Sequence, residues 1–543
     1  MSTVHAAFNK VASRRADADF LAVDSVTAQT YGIPVGTRSW REVAGEVDRL
    51  LAAYASAGYG HGHRVGLLLE NRPAFFTHWL ALNALGVSIV PIHADMGPVE
   101  WSYLVSHSEM CLAVVLPHRE AALRTAAAEA NVQLQTIRPE AEGKIPSPSV
   151  PARHARNPVN RASECALLYT SGTTGRPKGC RLHNGYFLRA GEWYLGLHEL
   201  AEIVPDIDRF ITPLPLSHMN ALAFSSMAAM LSGGCIVQLD RFHPQTWWQS
   251  VRESRATVVH YLGVMPAMLV AAPSSPQDRD HKVRFGFGAG VDPRHHAAFE
   301  ERFGFPLLEA WAMTETGAAA CIMANREPRH VGTRCFGRPA DFVETRTVDE
   351  FGKDVGTSRA GELLVRAPGP DPRRDFFLGY LKDEPATEEA WADGWFHTGD
   401  VVQRSADGDF HFVDRRNSVI RRSGENISAL EVESVVADHP AVAAVGVAAT
   451  PDPVRGDEVL ACVVLRKAPN LPPPERIAMS IVAHALERLA YFKAPGYVAF
   501  VEALPLTASQ KVQRSDLREL ARALPGKPNC HDLRILKRRR KTK

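Results

Sequence analysis

The chain has 543 residues, 45% of them hydrophobic and 22% charged, with a formal net charge of +2. That length exceeds one ordinary core and predicts two or more domains, while the near-neutral balance gives no global field to recruit nucleic acid or an anionic membrane. Eight cysteines without Cys-x-x-Cys spacing suggest neither a zinc knuckle nor a disulfide framework, and the absence of a signal-peptide core or an apolar run near the ~20 residues of a membrane span predicts a cytoplasmic protein with reduced thiols.

In chain order, residues 64–91 read as strand, helix, strand. Arg64–Leu69 is a short buried strand, Pro73 suits a first helical turn, and Phe76, Leu80 and Ala84 recur at helical spacing. Gly86 ends that helix and Val87–Pro91 forms the next strand. Short apolar runs at 112–116, 165–169, 234–239, 257–262 and 283–287 alternate with helical stretches, which predicts an α/β architecture with largely parallel sheets. The Pro/Ser/Asn-rich segment 144–160 is predicted to join two subdomains, and 367–375 and 467–475 to be loops. From about residue 405 the strands shorten and tight turns such as Asp407-Gly408 appear; 441–449 reads as a buried strand and 476–490 as an amphipathic stretch, the pattern of a small α+β domain. The terminal run from Lys537 to Lys541 reads as a solvated tail, with contact to nucleic acid or an acidic partner as the alternative.

The segment with the clearest chemistry is Cys165–Gly179, an apolar strand running into a loop dense in hydroxyls, glycines and cations. Thr170, Ser171, Thr173 and Thr174 supply hydroxyl donors, Gly172 permits close backbone approach, and Lys178 adds charge, a composition suited to wrapping a polyphosphate. It is not the common P-loop, because no Gly-Lys-Ser/Thr follows at the required spacing. Four further segments carry chemistry. Glu309–Glu315 contains Trp311, Thr314 and Glu315; the indole suits a nucleobase and the carboxylate a metal ion, although a core Trp beside a surface Glu reads the same way. Trp395–Asp400 places Asp400 behind a Gly turn, an acceptor for vicinal ribose hydroxyls or an ordinary turn residue. Phe412–Ile427 combines Arg415 and other cations with the turn Ser423-Gly424-Glu425, and Leu506–Arg514 holds Lys511.

The order and spacing of these segments, from about residue 8 to 525, resemble the adenylate-forming superfamily of acyl-CoA synthetases, luciferases and peptide-synthetase adenylation domains. The resemblance implies a large N-terminal domain of packed α/β subdomains, residues 1–415, and a small mobile α+β C-terminal domain, residues 416–543. It implies activation of a small-molecule carboxylic acid by ATP and Mg²⁺ to an acyl-adenylate, followed by transfer to the thiol of coenzyme A. Residues 170–178 then clamp the β- and γ-phosphates, Ala289, Gly290 and Trp311 meet adenine, Thr314 meets the α-phosphate, and Glu315 meets Mg²⁺. Asp400, backed by Arg415, holds the ribose, and Lys511 bridges the acid's carboxylate and the α-phosphate. His218 and Gly288 border the acid, and Ser423, Gly424 and Glu425 admit coenzyme A after the small domain rotates. The hinge falls at Arg416–Ser418, with Ser418 where Asp is usual, and Gln510 replaces the usual Gly before the lysine.

Within the superfamily, residues 412–427 look most like the carnitine/crotonobetaine-CoA ligase branch. A trimethylammonium substrate would need aromatic faces or a carboxylate, and Trp193 and Phe224 lie in suitable segments; medium-chain, alicyclic and aromatic acids are equally compatible. Loading of a carrier-protein thiol is the alternative acceptor. Luciferase-like oxidation has no supporting feature, and a non-catalytic sensor is disfavoured by the joint presence of Glu315, Asp400, Arg415 and Lys511. No nucleic-acid partner and no membrane span are expected.

Overall fold

The computed structural model describes all residues except 1, 141–144, 155–156, 171–176, 416–417, 423–424, 453–455, 468–471, 490, 507–510 and 538–543. Two sheets of mainly parallel strands form the bulk of the large domain. One has six strands in the order Gln135–Ile137, Leu112–Val115, Arg64–Leu68, Ser88–Pro91, Glu164–Thr170, Lys178–His183, antiparallel only at the last pair. The other has eight, in the order Ile322–Met323, Leu307–Trp311, Phe285–Ala289, Val258–Leu262, Arg209–Thr212, Cys235–Gln238, Asp19–Val23, Gly36–Ser39, antiparallel at the two outer pairs.

The helices Pro73–Ala84 and Asn184–Leu195 are buried on nearly all sides. This explains why they show little polar face, as elements of a layered core do. Strand Glu164–Thr170 is fixed by charge as well as packing. Arg64 makes a two-pronged pair with Glu164, at 2.7 and 3.0 Å, and Arg181 reaches the same carboxylate at 3.0 Å. These guanidinium partners hold the Glu164 carboxyl below its usual pKa against the opposing effect of burial.

The sequence expectation of strands alternating with helices holds for these two sheets. Three other expectations need correction. Segment 144–160 does not join two subdomains: the strands on either side of it, Gln135–Ile137 and Glu164–Thr170, belong to the same six-stranded sheet. The segment packs back on it, with the Tyr59 hydroxyl donating to the Pro146 carbonyl. The Asp407-Gly408 turn does not open the small domain. It joins Phe396–Arg404 to Phe410–Arg415 inside a third, antiparallel sheet of five strands, with Cys335–Gly337, Ala360–Arg366 and Glu344–Val348. Lys537 is buried rather than solvated: its ammonium donates to Glu458, which is fully buried and also paired with Arg422 at 2.9 Å. The rest of the basic run lies outside the described residues.

The small domain pairs Val419–Arg422, Glu425–Ser428, Val442–Asp452, Gly456–Leu465, Tyr497–Phe500 and Cys530–Asp532 in one sheet, flanked by helices Ala429–Ala437, Pro474–Arg488 and Arg514–Ala523. Its apolar clusters draw only on residues 420–536, whereas those of the large domain draw on 4–412. Polar contacts tie the domains together: Ser428 Oγ lies 2.9 Å from Asp414 Oδ2 and 3.1 Å from the Val413 carbonyl oxygen, the Leu430 amide donates to Asp414 Oδ2 at 3.3 Å, and Arg294 pairs with Asp438. Among the described residues, no helix is long and apolar enough to cross a membrane.

Candidate active site

The site lies where strands end. Phe285–Ala289 leaves the eight-stranded sheet and turns at Gly290, whose φ of +79° is a left-handed conformation that glycine adopts without penalty. A Cβ on Gly288 would stand 2.4 Å from the Tyr261 carbonyl oxygen, so only glycine fits there. The turn is held from below by Glu309, whose carboxylate accepts from the Gly290 and Val291 amides at 2.8 and 2.6 Å. Burial pushes this carboxyl up to about 7, against the lowering effect of those two amides. Ala289 and Gly290 are exposed along the edge this creates.

Leu307–Trp311 ends one strand further along the sheet. The Trp311 indole is buried, and its Nε1 donates to Asp400 Oδ2 at 2.8 Å. Asp400 comes from the third sheet, where Thr398, Gly399 and Asp400 sit in Phe396–Arg404; the Asp400 amide donates to Thr398 Oγ1. Opposite it in the register stands Arg415, whose Nε lies 2.7 Å from Asp400 Oδ1. That contact is an ion pair with no hydrogen-bond alignment, and among the described residues the buried Oδ1 has no hydrogen-bond partner. A buried carboxylate oxygen in this state is costly, and a ribose hydroxyl would satisfy it. Burial raises the Asp400 pKa, opposed by Arg415 and by the indole N–H.

Strand Glu164–Thr170 pairs antiparallel with Lys178–His183, placing Thr170 opposite Lys178. Ser171, Gly172, Thr173 and Thr174 lie outside the described residues. The Lys178 ammonium sits over the Tyr380 ring, 4.7 Å from its centroid. The Tyr380 hydroxyl donates to Glu315 Oε1 at 2.9 Å. Tyr380 is thus a link between the loop and the proposed metal carboxylate that sequence reading missed. It lies in segment 378–381, which runs beside Lys178–His183 through backbone bonds such as Leu381 N to Gly179 O. Glu315 is buried, and Thr314 beside it is half-buried on the turn that follows Trp311. One Glu315 oxygen serves Tyr380; the other is a hard oxygen donor of the kind Mg²⁺ takes.

Lys511 enters this mouth from the small domain. Its segment is closed by the Leu506–Val512 bridge and pinned by Arg514, which forks onto Glu433. The Lys511 side chain keeps exposed surface, yet desolvation followed by the charge of Arg415 lowers its ammonium pKa. Desolvation, Lys511 and His93 likewise depress the imidazole of His218, whose ring centroid is 6.0 Å from that of His93. Lys511 thus lies within electrostatic reach of Arg415 and of His218, and Arg415 is paired with Asp400. Ser423 and Gly424 lie outside the described residues, as does the Glu425 side chain; the Glu425 backbone belongs to strand Glu425–Ser428. Ser418 immediately precedes strand Val419–Arg422, and Arg416 and Asn417 lie outside the described residues.

Trp193 and Phe224, considered above as open aromatic faces, are buried and pack on each other at 5.4 Å and on Phe287 at 5.9 and 5.3 Å. They form a closed floor rather than a cage.

Comparison with known proteins agrees with this geometry. Residues 10–381 match the AMP-binding enzyme family and residues 431–511 the AMP-binding enzyme C-terminal domain. The chain is 32% identical to a sulfoacetate–CoA ligase of Cupriavidus necator, covering 92% of this chain and 93% of that protein. It is 28% identical to a crotonobetaine/carnitine–CoA ligase of Escherichia coli, over 91% and 95% of the two chains. The o-succinylbenzoate CoA synthetase of Bacillus subtilis, solved with its acyl-adenylate intermediate, shares the fold with a TM-score of 0.78 at 24% identity, over 94% and 97% of the chains. The relatives' common acceptor, coenzyme A, favours that thiol over a carrier protein. The chain belongs to the AMP-binding enzyme family and is an AMP-forming acid–CoA ligase that uses ATP, Mg²⁺ and coenzyme A.

Proposed function

We propose that the cleft between the domains adenylates a short carboxylic acid, with the residue roles that follow. Asp400 accepts the ribose hydroxyls, aligned by Trp311 and Arg415. Adenine lies along Ala289 and Gly290 against Trp311. The loop from Thr170 to Lys178 holds the β- and γ-phosphates, and Thr314 contacts the α-phosphate. Glu315, oriented by Tyr380, holds Mg²⁺, which would neutralise phosphate charge as pyrophosphate leaves. His218 and Gly288 border the acid.

In the first step a carboxylate oxygen attacks the α-phosphorus and pyrophosphate departs. Two anions must meet, and Lys511 places a cation between them; one preorganised donor of this kind commonly lowers the barrier by ~3–4 kcal/mol. In the second step the thiol sulfur attacks the acyl carbon and AMP leaves. Lys511 has no part there, and we assign that step to a rotated small domain hinged at Arg416–Ser418, with Ser423, Gly424 and Glu425 admitting the thiol. The domain boundary falls at 415/416 in this reading.

The observation that carries the proposal is the buried Asp400 Oδ1, ion-paired to Arg415 but without a hydrogen bond among the described residues, with Lys511 in electrostatic reach of that same Arg415. We read the buried, mutually packed rings of Trp193, Phe224 and Phe287 as the limit on the acid's length. ATP–pyrophosphate exchange over a panel of acids, followed by thioester formation with coenzyme A, tests it. Exchange with acids of two to four carbons, falling away by eight, is expected; equal exchange with octanoate would refute the short pocket.

A further inference from the structure

One polar group on the acid side has no role in the chemistry described so far. His260 is fully buried in strand Val258–Leu262, among aromatic rings: Tyr194 stacks on it at 5.7 Å and Phe287 lies 4.9 Å away. Its Nδ1 is 2.6 Å from Asn220 Oδ1, and its Nε2 is 3.0 Å from the Tyr194 hydroxyl. An amide oxygen only accepts, so the ring proton sits on Nδ1, and the tyrosine donates to Nε2. Burial pushes this histidine down to about 3, which keeps it neutral and the arrangement fixed.

Asn220 opens a π-helical turn, Asn220–Ser225, two residues after His218. Its Oδ1 is committed to His260, and it is half-buried. The amide Nδ2 donates to no other described residue, and it is not among the fully enclosed unpartnered atoms, so it faces accessible space. The sheet register locates that space. His260 pairs with Phe287, and two residues further along both strands, on the same face, Leu262 pairs with Ala289 at the exposed edge. Asn220 therefore meets the sheet about 7 Å deeper than the Ala289–Gly290 edge.

We propose that Asn220, oriented by the Tyr194–His260 pair, donates its amide N–H to the far end of the bound acid and selects short acids whose tail bears an anionic or hydrogen-bond-accepting group. This rests on the reading that His218 and Gly288 border the acid. It separates the two kinds of tail handled by the relatives. A donor aimed at the tail, with the amide oxygen already engaged, favours a sulfonate or carboxylate and offers nothing to a quaternary ammonium.

Three acids of the form X–CH₂–COO⁻ and nearly equal shape test this directly: sulfoacetate, 3,3-dimethylbutyrate and glycine betaine. The readout is kcat/KM for ATP–pyrophosphate exchange by the full-length enzyme. Wild type should prefer sulfoacetate to each of the others by at least ~10-fold, the scale of one hydrogen bond to a charged group. Asn220→Leu should collapse the sulfoacetate to 3,3-dimethylbutyrate ratio about 10-fold, and His260→Phe should lower it by less, because the amide keeps its donor but loses its anchor. A preference for betaine, exchange with none of the three, or an unchanged ratio in Asn220→Leu overturns the proposal. His218→Ala separates the two levels. If it raises the acid KM while the Asn220→Leu ratio stays as in wild type, only the tail assignment falls; if it leaves every acid KM unchanged, the location of the acid site falls with it.

Discussion

Replacing Trp311 with Phe tests the link between the base and ribose positions. Phe keeps an aromatic face and most of the apolar area, so what is removed is the N–H donated to Asp400 at 2.8 Å. A hydrogen bond to a buried charged group is worth about 1.5–3 kcal/mol, or roughly 10- to 100-fold in an equilibrium constant. The apparent KM for ATP in pyrophosphate exchange should rise by about that factor. The pH profile should move as well. Burial already raises the Asp400 pKa, and the indole N–H is one of two groups opposing that rise. Without it the carboxyl protonates at higher pH and loses acceptor capacity for the ribose. The acid limb of kcat/KM for ATP should therefore shift upward in pH, and discrimination against 2′-deoxy-ATP should shrink. The assay is exchange from pH 5.5 to 8 with both nucleotides at a fixed saturating acid concentration. Profiles for Trp311→Phe that superimpose on wild type for both nucleotides would refute the reasoning.

Other expectations follow from the same contacts. Because Glu309 titrates near pH 7 and only its ionised form accepts fully from both the Gly290 and Val291 amides, hydrogen-exchange protection of those amides, corrected for intrinsic rates, should increase from pH 6 to pH 8; Glu309→Gln should abolish that increase. Glu458→Gln strands Arg422 and Lys537 as buried cations and should cost about 3–5 kcal/mol of small-domain stability. No tryptophan lies beyond Trp395, so hydrogen exchange across 419–537, rather than fluorescence, is the measurement; wild-type protection would show that the cluster is not structural.

The large-scale plan was legible because buried parallel strands are short apolar runs; Cys165–Gly179 stood out because polyphosphate binding favours glycines and hydroxyls at close spacing, and its residues 171–176 lie outside the described ones. The third sheet was not, since Glu344–Val348 is half-exposed at its start and carries two charges, which reads as loop. Tyr380 and Asn220 were missed for another reason. Their roles depend on contacts to Glu315 and His260, 65 and 40 residues away, and no local pattern marks such pairs. Glu309 was quoted only as the start of a motif; its hold on the Gly290 turn is visible only once two parallel strands are aligned. Lys537 looked like the rest of a basic tail because nothing near it in sequence indicates that Glu458 is waiting, buried, for a second cation.

If Lys511, carried by the small domain, acts in adenylation and not in thioester formation, Lys511→Ala must separate the two half-reactions. The most direct measurement uses ATP–pyrophosphate exchange for the first and coenzyme A thioester formation from supplied acyl-adenylate for the second. Exchange should fall ~10²- to 10³-fold with the second step largely retained. Equal losses in both steps would contradict it.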